Sequence, residues 1–132
     1  MTHYLCLKAM ESNINDNEML VRYLYGLGNC LAADHRARQV NTRLPRSIRR
    51  ILSHYYKKGN HHAESNNRKS KEVSTSHFRL SKENSDVILK VIRLIANFSL
   101  DESGAAAVLE EKLILTLLLK LLRVSVRNGE SY

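Results

Sequence analysis

The chain has 132 residues, 43% of them hydrophobic and 26% charged, enough for one small domain or two to three helical repeat units. That balance excludes a fully disordered or collagen-like chain, and one proline with five glycines argues against an all-β protein built on tight turns. The +8 net charge is uneven: Arg36–Lys82 holds thirteen Lys/Arg against two acids, a local +11 that leaves −3 for the rest.

The first predicted helix, Met1 to about Glu11, has a weak pattern. The second, Asn15–Leu31, carries Leu20, Leu24, Leu27 and Leu31 at spacing i, i+4, i+7, i+11, widened by Met19, Tyr23 and Cys30. Asn15 or Asp16 can accept the free amide hydrogens of its first turn. The third, Pro45 to about Tyr56, opens on a proline whose missing N–H costs nothing there, and buries Ile48, Ile51, Leu52 and Tyr55. Lys57–Ser81 is polar and basic, gives almost nothing to bury and is predicted to be a flexible loop.

The fourth helix, Glu83 to about Leu100, has a broad apolar face of Val87, Ile88, Val91, Ile92, Leu94, Ile95 and Phe98. A turn at Asp101–Gly104, a short helix Ala105–Glu111 and a last helix from Lys112 to about Val126 follow, then a polar tail from Gly129. Lys112–Val124 is about 13 residues and carries Lys120 and Arg123, so it is too short and too charged for a membrane span of about 20 residues. It is apolar all round, so one neighbour cannot cover it, and the chain is expected either to self-associate through this helix or to need further repeats. Cys6 and Cys30 have apolar flanks and no signal peptide before them, which predicts reduced core thiols in a cytoplasmic setting.

The second and fourth helices superpose with a shift of 68 residues: Leu20 on Ile88, Leu24 on Ile92, Leu27 on Ile95, Asn29 on Asn97, Glu18 on Asp86 and Arg22 on Lys90. Each copy continues into a short and then a longer helix, Asp34–Val40 and Leu44–Tyr56 answering Glu102–Glu110 and Leu113–Val124. Without the polar loop the period is about 42 residues, in the range of three-helix solenoid repeats.

On these residues the chain resembles the armadillo repeat proteins. The stretches LVRYLYGLGNCLA and VIRLIANFSLD look like the last helix of such a repeat, and LILTLLLKLL like its second helix. The resemblance implies an all-α, armadillo-like right-handed solenoid fragment of about two repeats with a disordered polar insertion. Its divisions are helices over 1–56, the insertion over 57–81, helices over 82–127 and a tail over 128–132. The versions RYLYGLGN and RLIANFSLD are most similar to the branch of the family linked to assembly of the ciliary and sperm flagellar axoneme. The tryptophan usual in the family is Tyr25 in one copy and Arg93 in the other, and the usual glycine between the first two helices is missing from both.

Glu18, Arg22, Tyr25 and Asn29 share one helix stripe, as do Asp86, Lys90, Arg93 and Asn97. The resemblance implies that these third helices line a concave groove where the asparagine amide holds the backbone of an extended partner. An amide suits that role because it both donates and accepts. The expected partner-binding residues are Arg22, Tyr25, Asn29, Lys90, Arg93 and Asn97. The residues equally allow each asparagine to bond local backbone, and Glu18–Arg22 and Asp86–Lys90 to be ordinary helix ion pairs.

A basic patch of Arg43, Arg46, Arg49, Arg50, Lys57 and Lys58 has no acid among it and would suit an acidic protein segment, RNA or an anionic surface. No nucleic-acid motif accompanies it and no aromatic residues interleave for base stacking, so nucleic acid is the weaker expectation. His54, His61, His62 and His77 have no partners at zinc spacing, so no metal or other cofactor is expected. Gly26 and Gly28 lie within a helix and make no phosphate loop. No nucleophile, acid and base set is visible, so the chain reads as a non-catalytic scaffold for protein partners, in the cytoplasm or the cilium and flagellum. A basic module for nucleic acid or nuclear-transport cargo is the alternative.

Overall fold

The computed structural model describes the backbone of residues 2–40, 43–67 and 78–128, which form seven α-helices and no strand. They are α1 (Thr2–Ser12), α2 (Asn17–Ala33), α3 (His35–Val40), α4 (Leu44–Asn67), α5 (Lys82–Phe98), α6 (Glu102–Glu110) and α7 (Lys112–Asn128). Local chemistry sets several ends. The Asp16 carboxylate accepts from the Met19 N–H at 3.1 Å to start α2, and the Ser81 hydroxyl accepts from the Asn84 N–H at 3.1 Å to start α5.

The apolar stripes meet in one core. Leu20, Leu24, Leu27 and Leu31 of α2 join Ile48, Ile51, Leu52 and Tyr55 of α4 and Val87, Val91, Leu94 and Phe98 of α5, with Ile114 and Leu117 of α7 at one end. Each fully buried aliphatic or Phe side chain here contributes about 1.5–3 kcal/mol, before the entropy of ordering it. The helices related by the 68-residue shift lie against each other. α2 makes its most extensive contact with α5, α4 lies on α7, and α3 touches α6; α1 covers α2 and α4.

Polar ties fix this arrangement. The buried Tyr55 hydroxyl donates to the Ile14 carbonyl at 2.8 Å and lies 3.2 Å from Asn17 Oδ1, while the Asn17 amide donates to Asn84 Oδ1 at 2.7 Å. Burial, and then the nearby Asp16 charge, push the Tyr55 phenol above its usual pKa. Arg38 of α3 donates to the Leu31 carbonyl at the end of α2 at 2.6 Å and pairs with Asp101 at 3.0 Å. His35 Nδ1 lies 2.8 Å from the same Asp101 oxygen. Asp101 sits at the start of α6, yet its carboxylate makes no capping bond there because it is turned to Arg38. A Cβ at Gly104 would overlap the Phe98 carbonyl oxygen, so only glycine lets α6 begin this close to the end of α5.

The structure corrects several expectations. α4 does not stop at Tyr56; it runs to Asn67, replacing the first part of the predicted 57–81 loop, and residues 68–77 of that loop lie outside the described residues. Phe78, placed in the loop by its polar neighbours, is buried: it stacks on Tyr56 with ring centroids 5.2 Å apart and covers Gly59. That docking supports a stretch of α4 that has no apolar stripe of its own. Met19 and Ile92 are surface residues, 37% and 41% exposed, rather than parts of buried stripes. Cys30 is exposed as well, and only Cys6 is half-buried, its thiol pushed up by burial and then by the proximity of Cys30.

Candidate partner-binding face

Six side chains expected to meet a partner fall on one face, where α2 and α5 run side by side. Helical spacing puts Arg22, Tyr25 and Asn29 on one stripe and Lys90, Arg93 and Asn97 on the other, and the contact between α2 and α5 brings the stripes together. Tyr25 is half exposed. The Lys90 ammonium lies 5.4 Å and the Arg93 guanidinium 5.3 Å from its ring centroid, both within cation–π range. Arg93 also donates to Asn29 Oδ1 at 3.3 Å. The Asn97 amide donates to the Gly28 carbonyl of α2 at 3.0 Å.

The expectation that the asparagines bond only their own turns is therefore replaced by a cross-helix pattern: both amides bridge α2 and α5. The two expected helix ion pairs part company. Arg22 and Glu18 pair at 2.8 Å on the surface, with side chains 71% and 78% exposed, worth at most a few tenths of a kcal/mol. Lys90 turns instead to Tyr25. The face thus offers an exposed aromatic ring, three cations and two amides. The carbonyl oxygen of Asn97 and the amide nitrogen of Asn29 make no hydrogen bond among the described residues. Spacing along one helix did not reveal the bridging, yet its signal lay in the repeat: Tyr25 is equivalent to Arg93, and Asn29 to Asn97.

The basic patch is not the uninterrupted cluster that chain order suggests. Glu11 of α1 reaches Arg50 at 3.1 Å and accepts from the Ser47 hydroxyl at 3.1 Å, and Glu111 lies 3.7 Å from Arg49. Arg43, Arg46 and Arg50 line a polar cavity of ≈ 790 Å³ together with Lys8, but Glu11, Glu110 and Glu111 line it too. Lys57 and Lys58 begin seven residues beyond Arg50 on α4, about 10 Å further along its axis, and the Lys58 ammonium lies 4.8 Å from the Tyr55 ring centroid. His54 is on the same helix, with its Nε2 enclosed and unpartnered among the described residues. Burial, then Lys58 and Lys57, hold its pKa below the usual value.

Among the described residues no three His, Cys, Asp or Glu side chains gather as a metal site would require, and no helix is long and apolar enough to cross a membrane. Comparison with protein-family models, with curated proteins and with solved structures found no match.

Proposed function

We propose that the chain is a segment of an armadillo-type α-solenoid that acts as a non-catalytic scaffold, gripping an extended protein partner along the α2–α5 face. The observation that supports this most is the meeting of Tyr25, Asn29, Lys90, Arg93 and Asn97 across two helices equivalent by the 68-residue shift. A groove built from repeats presents the same positions side by side, and here those positions carry donors, acceptors and an exposed ring. The side-by-side contact of α2 with α5, α3 with α6 and α4 with α7 supports the solenoid reading.

The two cations over Tyr25, Lys90 and Arg93, favour a partner segment with acidic side chains, whose backbone Asn29 and Asn97 would hold. The sequence resemblance supplies the proposed setting, assembly of the ciliary or sperm flagellar axoneme. The ion pairs of Arg49 and Arg50 with Glu111 and Glu11 weigh against the nucleic-acid alternative, because they spend on internal acids the charge that phosphates would need.

The test is affinity capture with the wild-type chain beside two variants, N29A/N97A and R22E/K90E. Proteins bound by the wild type and lost by both variants are the expected result. Partners retained by both, or lost only on replacing Arg43, Arg46 and Arg50, would remove the α2–α5 face from the proposal.

A further inference from the structure

The second surface that stands out is apolar. Of the ten large hydrophobic side chains exposed among the described residues, eight lie on α5, α6, α7 or the turn after α5: Leu89, Ile92, Leu100, Leu109, Leu113, Leu115, Leu119 and Leu122. Three of them, Leu89, Ile92 and Leu122, line a groove of ≈ 630 Å³ between α5 and α7, floored by Ile88, Leu89 and Ile92 on one side and Leu118, Leu121 and Leu122 on the other.

The internal repeat says what shape fits there. Ile88 and Ile92 are equivalent to Leu20 and Leu24 of α2, which are 0% and 1% exposed, whereas Ile92 is 41% exposed. The side of α2 that carries Leu20 and Leu24 belongs to the core that α5 completes with Val87, Val91, Leu94 and Phe98, an apolar stripe at i, i+4, i+7 and i+11. The groove is the continuation of that interface by one more step, so its natural filler is another helix with such a stripe. Charge narrows the choice. Arg79 is the one charged residue lining the groove among those described; of its walls, α7 carries Lys112, Lys120 and Arg123 without an acid, and α5 carries Lys82, Lys90 and Arg93 against Glu83 and Asp86. Two copies of the chain meeting through this face would bring two net-basic surfaces together, whereas a helix flanked by Asp and Glu meets a net opposite charge.

We propose that the α5–α7 groove is a docking site for an amphipathic helix of a partner protein, apolar at i, i+4, i+7 and i+11 and acidic along its flanks. This surface is separate from the α2–α5 face, and either can fail without the other.

The probe is a labelled synthetic peptide of residues 81–100 of this chain with K90E and R93E, which keeps the stripe and makes the flanks acidic. Binding to the full chain is followed by fluorescence anisotropy beside a scrambled peptide and the unaltered 81–100 peptide. The acidic peptide should bind tightest, weaken as salt rises, and lose about tenfold or more in affinity against an I92E/L122E chain. Both replaced residues are exposed, so helix content by circular dichroism should be retained; if the double variant does not fold, L89E alone serves, Leu89 being 61% exposed. Equal binding of the acidic and scrambled peptides, or binding unchanged by these variants, overturns the proposal. So does a wild-type chain that sediments as a dimer and becomes a monomer on I92E/L122E, which would assign the groove to a second copy.

Discussion

α2 and α5 carry nearly the same pattern, yet they end in different surroundings. α2 lies between α1 and α5, and its Leu20, Leu24, Leu27 and Leu31 are all sealed. α5 has α2 and α4 on one side and an open groove on the other, so the equivalent of Leu24, Ile92, stays at the surface. Hydrophobic spacing states which face of a helix can be buried; a neighbour decides whether it is.

The comparison is broken most directly by truncating equivalent residues. Leu24→Ala should cost about 2–5 kcal/mol, as deep aliphatic deletions do, whereas Ile92→Ala should cost about 1 kcal/mol or less because solvent already reaches it. Urea denaturation of both variants is the measurement, and equal losses would contradict the difference in environment. Glycines sharpen the same contrast. Gly104→Ala should destabilise by about 1–3 kcal/mol, since its Cβ would strike the Phe98 carbonyl. Gly26 has nothing within 4 Å of where a Cβ would stand, so Gly26→Ala should raise stability by about 0.5–1 kcal/mol through helix propensity alone.

The smallest effect is expected from pH at the contact between α3 and α6. The hydrogen bond and charge of Arg38, with a further contribution from His35, hold the Asp101 carboxyl below its usual value. Its contribution is therefore complete above the unfolded carboxylate value of 3.8, shrinks as pH falls below that, and is gone once pH passes the lowered folded value. Thermal melts from about pH 6 to pH 2 should show a shallower acid decline for Asp101→Asn than for the wild type. Parallel curves would mean that the ion pair adds nothing measurable.

Much of the fold is legible in the sequence. The four-leucine stripe of α2, the buried face of α4, the Asp16 cap and the short helix before α7 follow from spacing and local chemistry. What could not be read was long-range. Nothing around Asp101 announces Arg38, 63 residues earlier, as its partner, and nothing around Tyr55 points to the Ile14 carbonyl. The extension of α4 past Tyr56 was missed because Lys57–Asn67 has no apolar period, while the reason it can be covered, Phe78, lies beyond it in sequence. Of the candidate face, the residues were visible as stripes, but their joining into one network depends on two helices meeting. The basic patch misled for the same reason, since the acids that answer Arg49 and Arg50 come from other elements.

The hydrogen bonds that join α2 to α5 link residues 64, 67 and 69 positions apart. Such partners cannot meet during the first local collapse, so the helices between them should order early and this seam should close late, in the slow part of folding. The entropy of closing a loop grows only logarithmically, and doubling the length of the connection between α4 and α5 should cost about 0.6 kcal/mol. Natural variation in the length of this protein should therefore collect in that connection and spare the helices on either side.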